Sequence, residues 1–277
     1  MGCTGCSNNV NLVVQILDIY FMNEFKVHIN NNIRSFEADL SRPFDLSLPL
    51  QNGTSNPTAW YCGPVVIRAV ENEFFVGDVT RGGSVNFRDV FFNPHGHGTH
   101  TECVGHISRE FYSVNESLKT FFFLARVISI EPELTPEGDR RISLEQVIAK
   151  AGDMAGVKAL IIRTLPNDIE KRTRNYSNTN PPYFEHAVGE WLRTQGIKHW
   201  LTDLPSVDRE EDDGVLAAHH AFWNYPQNPV TDATITELIF VPDHVPDGIY
   251  LLNLQMASFH NDASPSKPVL YPVTVVS

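Results

Sequence analysis

Asn93–His106 reads Asn-Pro-His-Gly-His-Gly-Thr-His-Thr-Glu-Cys-Val-Gly-His. It sets His95, His97, His100, Glu102 and His106 within twelve residues. Imidazole and carboxylate together are a ligand set for zinc, manganese or ferrous iron. A His-rich surface loop is the plainer reading of clustered histidines, but the density and the interleaved carboxylate favour a metal site. Alternate residues of an extended strand share a face. His100 and Glu102 therefore point one way, and Cys103 points the other way as a buried thiol. Gly96 and Gly98 permit a bulge that brings His95 or His97 onto the His100 face despite the wrong parity. His106 follows a turn at Gly105.

A second cluster supplies what the first lacks. His219 and His220 end a helical stretch, and Glu237 sits in the β-prone run Ala233–Phe240. A carboxylate inside such a run is costly unless it is paired or bound to a metal; a surface place on an edge strand is the alternative. The two clusters can converge on one metal or bridge two. Trp60 and Tyr61 lie in a loop from Pro43 to Gly63. With Phe92 they either cap the core or form a stacking wall for a substrate.

Strand patterns outnumber helical ones. Strands are expected over residues 26–29, 35–40, 65–70, 74–79, 84–92, 117–130, 159–163, 199–201, 235–241, 250–257 and 269–276. Helices are expected over 143–151, with a Ser143/Gln146 capping box, over 184–196, ending at Gly196, and over 215–223. This pattern fits a single α/β domain, a mixed β-sheet or open barrel with helices packed outside. Residues 1–30 read as an N-terminal extension and 31–277 as the domain. Met22 resembles a natural start, and Cys3 and Cys6 form a lone C-x-x-C, a weak zinc signal.

The chain has 277 residues, 42% hydrophobic, with a formal charge of −12. The acidic balance argues against nucleic acid and anionic membrane surfaces as partners. No apolar run reaches the ~18 residues of a membrane span. Four cysteines rule out a disulfide scaffold, and a reducing, cytoplasmic setting is expected. The chain lacks a G-x-S-x-G elbow and the Walker and dinucleotide glycine motifs, which argues against a serine hydrolase and a nucleotide enzyme.

The run Gly98-Thr99-His100-Thr101-Glu102 with His106 resembles the H-x-G-T-H-x-D-x-P-x-H signature of the metal-dependent cyclase family. That family includes bacterial kynurenine formamidase (arylformamidase) and isatin hydrolase. Asp39-Leu40-Ser41 is similar to its D-L-S motif and Leu160–Thr164 to its L-I-R-T-G strand. Thr202–Asp208 resembles its T-D-x-x-S-x-D segment, and His219 and Glu237 match a helix histidine and a later glutamate. The order of five motifs carries the resemblance.

The resemblance implies a cyclase-like fold of swivelling β/β/α type. It implies one or two divalent metals, Zn or Mn, per subunit. His100 and Glu102 would be ligands, with Glu102 in place of the usual Asp, His219 and Glu237 distal ligands, and His106 the proton-transfer residue. The signature's first histidine falls on Gly96. His95 and His97 flank that slot and either can fill it; Pro94 and Gly96 favour His95. Val104 replaces the family proline. The implied activity is hydrolysis of a C–N bond in a small-molecule amide or cyclic substrate, as in tryptophan catabolism, by a homodimer or higher homo-oligomer. Asp203 or Asp208 could fix a ligand imidazole, although turn capping is the plainer role for both. A lactonase, cyclic-imide hydrolase or dehydratase on the same site, or an inactive metal-binding relative, are the alternatives.

Overall fold

Burial along Phe122–Ile130 reveals how the sheet is layered. Phe123, Ala125 and Val127 pack into one apolar cluster, and Leu124, Ile128 and Ile130 into another. Both faces of this strand are thus covered, as a parallel strand requires. The computed structural model describes residues 25–30 and 34–276. Cys3, Cys6 and Met22 lie outside the described residues.

Phe122–Ile130, Ala159–Thr164, His199–Thr202 and Thr234–Glu237 run parallel in that order. His100–Cys103 pairs antiparallel with Thr234–Glu237. Gly248–Met256 pairs antiparallel with Phe122–Ile130 at the other end. The last strand, Ala263–Val276, pairs with both Gly248–Met256 and His100–Cys103. That double pairing closes a seven-stranded barrel, where the sequence pattern allowed an open one. Closure follows from length: the final strand has 14 residues and starts at Ala263, not at residue 269. Pro265 and Pro268 hide its first half in the sequence, because proline interrupts a strand signature. Lys26–Asn30 and Ser35–Asp39 extend the sheet from the far end of that strand.

Leu144–Ala151, His186–Thr194 and Ala217–Trp223 are the helices of the crossovers. Both capping-box bonds at Ser143 and Gln146 form. The helices bury Val147, Val188, Leu192, Phe222 and Trp223 against the outer faces of the strands, in the cluster with Leu124, and the cluster with Phe123, Ala125 and Val127 fills the barrel. Among the described residues no helix is long and apolar enough to cross a membrane.

The helix Ala217–Trp223 can lie close to His186–Thr194 only because residue 189 is glycine. A Cβ there would meet the Ala218 carbonyl oxygen at 2.7 Å and the Phe222 nitrogen at 3.1 Å. Gly189→Ala is expected to push this helix outward and destabilise the fold by about 1–3 kcal/mol. A fall in the urea midpoint at constant slope would register it; an unchanged midpoint would refute the close-packing argument.

Candidate metal centre

The antiparallel register sets His100 directly opposite Glu237 and Glu102 opposite Ile235. Strand parity sends all four side chains to the helix-covered face. Thr101 and Thr236 point the other way, where their hydroxyls hydrogen-bond at 2.8 Å. Cys103 is fully buried on that opposite parity. The Glu237 strand ends sooner than its apolar continuation suggests, because Leu238 takes a left-handed φ of 53°. The Leu238 carbonyl accepts the Thr99 hydroxyl at 2.6 Å, which pins the two strand ends together.

His219 reaches the same face from the first turn of its helix. Asp208 accepts from the Ala218 and His219 backbone N–H groups at 2.7 and 3.1 Å, and from His219 Nδ1 at 2.5 Å. One carboxylate thus caps the helix and aims the ring. His219 Nε2 then lies 3.1 Å from Glu102 Oε1 and 3.9 Å from Glu237 Oε1. Asp203 does otherwise: it accepts from Thr164 and from the buried Lys171, whose Nζ lies 2.9 Å away.

His95 turns its ring onto this face, with Nδ1 2.9 Å from Glu102 Oε2 and Nε2 2.7 Å from Asp262 Oδ2. The His106 ring stacks on His95 with 4.3 Å between centroids. Its Nδ1 is 3.9 Å from Glu102 and 3.7 Å from Asp262. His97 does not join the cluster. Its Nδ1 accepts the Asn93 N–H at 2.8 Å and its Nε2 donates to the Gly63 carbonyl at 2.7 Å, so both ring nitrogens hold loops in place.

Trp60, His106, Arg209, Leu216 and His219 line a pocket of about 200 Å³ over the cluster. Trp60 and Leu216 both sit at left-handed φ, 58° and 45°. That conformation costs a non-glycine residue about 1–2 kcal/mol, and such costs gather at functional sites. Tyr61 and Phe92 are not on the pocket wall: Tyr61 is exposed and bonds Asn178, and Phe92 stacks on Phe259.

The electrostatics follow from crowding four carboxylates among the imidazoles. Burial works to raise the Glu102 carboxyl, but His106, His219 and His95 outweigh it and hold it well below the usual range. Burial likewise opposes protonation of His95, yet Asp262 and Glu102 lift it to about 10. His219 is held well above its ordinary value by Asp208 and Glu102 against the same burial. The His106 and His95 rings keep Asp262 well below the carboxylate range.

The donor atoms fit a divalent cation on an internal criterion. His100 is fully buried; its Nδ1 donates to the Gly98 carbonyl at 3.1 Å. In the neutral ring this leaves Nε2 as an acceptor; it is buried with no hydrogen-bond partner and lies 3.4 Å from Glu237 Oε2. A lone pair facing a carboxylate is repulsive unless a cation sits between them. His100, Glu102 and Glu237 each offer an atom within 4.8 Å of the others, and so do His95, Glu102 and His106. Glu102 belongs to both groups. Asp262 is the site residue that the sequence reading missed. Its signal would have been a carboxylate just before a strand that pairs with His100–Cys103, and the prolines concealed that strand.

A family model described as "Putative cyclase" matches residues 44–209, more than half of the chain. The match includes Asn93–His106 and a second Asp-Leu-Ser run, Asp45–Ser47, but excludes Asp39–Ser41; His219 and Glu237 lie beyond its end. Kynurenine formamidase of Bacillus thuringiensis (strain Al Hakam) is 27% identical over 199 residues, covering 69% of this chain and 82% of that protein. Isatin hydrolase A from Labrenzia aggregata, solved with benzyl benzoate, superposes with a TM-score of 0.59 at 13% identity, over 83% of this chain and 93% of that one. A structure described as a potential metal-dependent hydrolase with cyclase activity gives 0.58 at 14% identity, over 83% and 97%.

Proposed function

The chain belongs to the cyclase family, and from that premise we propose that it is a metal-dependent hydrolase that cleaves a formamide-type amide bond. The observation that carries this reading is the buried, unpartnered His100 Nε2 aimed at Glu237. His95, His100, Glu102, His219 and Glu237 would hold the zinc or manganese ion. Glu102, common to both donor groups, would serve either group. When bound, the metal supplies Lewis-acid polarisation of a carbonyl and a water acidified toward neutral pH.

The chain's own groups do the rest. Asp208 fixes the His219 ring so that Nε2 faces the centre. His106 is partly exposed to the pocket and its ring makes no hydrogen bond, Nδ1 coming no closer than 3.7 Å to Asp262, so the ring is free to carry a proton from the attacking water to the leaving nitrogen. Trp60 offers an aromatic face for an aryl substituent. Likeness to isatin hydrolase supports a second reading, a cyclic amide opened at the same centre.

The test pairs elemental analysis of the purified protein with hydrolysis of N-formylkynurenine and of isatin, before and after chelation. Stoichiometric metal is expected, with turnover lost on chelation and restored by zinc or manganese. Turnover on isatin alone would move the assignment to the second reading. Turnover indifferent to chelation, or no metal after reconstitution, would overturn the proposal.

A further inference from the structure

A signature histidine at residue 96 would have nowhere to go. A Cβ on Gly96 would meet Cys62 Sγ at 2.4 Å and the Ala59 carbonyl oxygen at 3.2 Å. The loop carrying Trp60 has filled that space. His95 reaches the centre from the neighbouring position, and a carboxylate from the far end of the chain waits behind it.

Asp262 is held there by backbone, independently of its side chain. The Cys103 N–H donates to the Asp262 carbonyl at 3.0 Å, and the next residue, Ala263, pairs with Glu102. Gly105 makes room for it: a Cβ at 105 would meet Asp262 Cβ at 3.1 Å and the Tyr112 carbonyl oxygen at 2.3 Å. The carboxylate then takes His95 Nε2 at 2.7 Å, while Nδ1 faces Glu102 at 2.9 Å. A carboxylate only accepts, so with no cation present both ring N–H groups donate, one to each carboxylate; a cation beside Glu102 would displace the Nδ1 proton, while Asp262 would keep the one on Nε2. Carboxylate–histidine–metal relays use this division of the ring.

We propose that Asp262 is a positioning residue that fixes His95 as an Nδ1 metal donor, and that the His95–Asp262 pair replaces the signature histidine missing at residue 96. The inference rests on the metal reading above. His106 Nδ1, at 3.7 Å from Asp262, lies outside hydrogen-bond reach, so His95 is the ring that Asp262 holds.

The test is zinc affinity by competition with a chromophoric chelator, for the full chain and for Asp262→Asn, Asp262→Ala, His95→Ala and the double variant Asp262→Ala/His95→Ala. Asp262→Ala is expected to weaken zinc by about 10–100-fold, as loss of such a partner does elsewhere. Asp262→Asn, whose amide oxygen still accepts from Nε2–H, should fall between it and wild type. In the His95→Ala background the Asp262 change should add less than about 2-fold, because its effect passes through that ring. The visible spectrum of the cobalt-loaded protein should shift in Asp262→Ala, a signature that general loosening of the fold would not give. Equal weakening by Asp262→Ala with and without His95 would overturn the inference, as would wild-type affinity and spectrum in Asp262→Ala. Either result leaves the metal reading standing, whereas a wild-type chain that takes up no zinc removes both.

Discussion

Glu102→Gln is expected to abolish stoichiometric metal binding and to lower amide turnover by about 10³-fold or more. Glu102 is the one carboxylate common to both donor groups, and three imidazoles converge on it. The amide keeps the volume of the side chain and can still accept a hydrogen bond from His95 or His219, so the wall of the barrel should survive. What it loses is the negative charge that, with Glu237, makes a cation welcome beside His100. A metal supplies several kcal/mol of transition-state stabilisation, and each ~1.4 kcal/mol is a factor of ten in rate. Elemental analysis and steady-state kinetics read the two effects separately. Retention of full metal content with turnover intact would remove Glu102 from the centre.

His106→Ala should separate chemistry from metal. The ring is partly exposed, touches His95 by stacking, and has no hydrogen bond to a neighbour within ordinary range. Its removal is expected to cost about 1 kcal/mol of stability, through the lost approach to Glu102 and Asp262, and to leave the fold intact. Turnover should fall by about 10²–10⁴-fold at unchanged metal content, the usual worth of a positioned acid/base group. The same ring also offers a nitrogen within 4.8 Å of donor atoms of His95 and Glu102. Metal lost in step with turnover would reassign His106 as a ligand and leave the proton transfer to another group.

Local rules were enough for part of this site. Period-two alternation places His100 and Glu102 on one face with Cys103 on the other, and the strand register adds Glu237 opposite His100. The capping box at Ser143 is legible because its bonds lie within one turn. Other features depend on contacts that the linear pattern does not carry. Parity gives His95 and His97 equal claims, and only the Asn93 and Gly63 bonds explain why His97 is spent on loop anchoring. Asp208 combines turn capping with ring positioning, two roles that look like alternatives in a sequence and are one geometry in space. The run after Glu237 keeps its strand composition although Leu238 leaves the extended region. Asp262 escapes notice because the strand that follows it carries two prolines in its first half, and pairing with His100–Cys103 overrides their local preference.

The closing strand has a consequence for how the protein is made. Residues of the centre are drawn from positions 95 to 262, and the wall that bears His100 and Glu102 is flanked on one side by Ala263–Pro265. During synthesis the histidine-rich segment leaves the ribosome more than a hundred residues ahead of Asp262 and the strand that completes the barrel. A nascent chain therefore presents loose imidazoles and carboxylates, but not the arranged set. On the metal reading proposed above, the donors would be arranged only once residue 262 and the strand after it have been made, so loading would follow closure of the barrel.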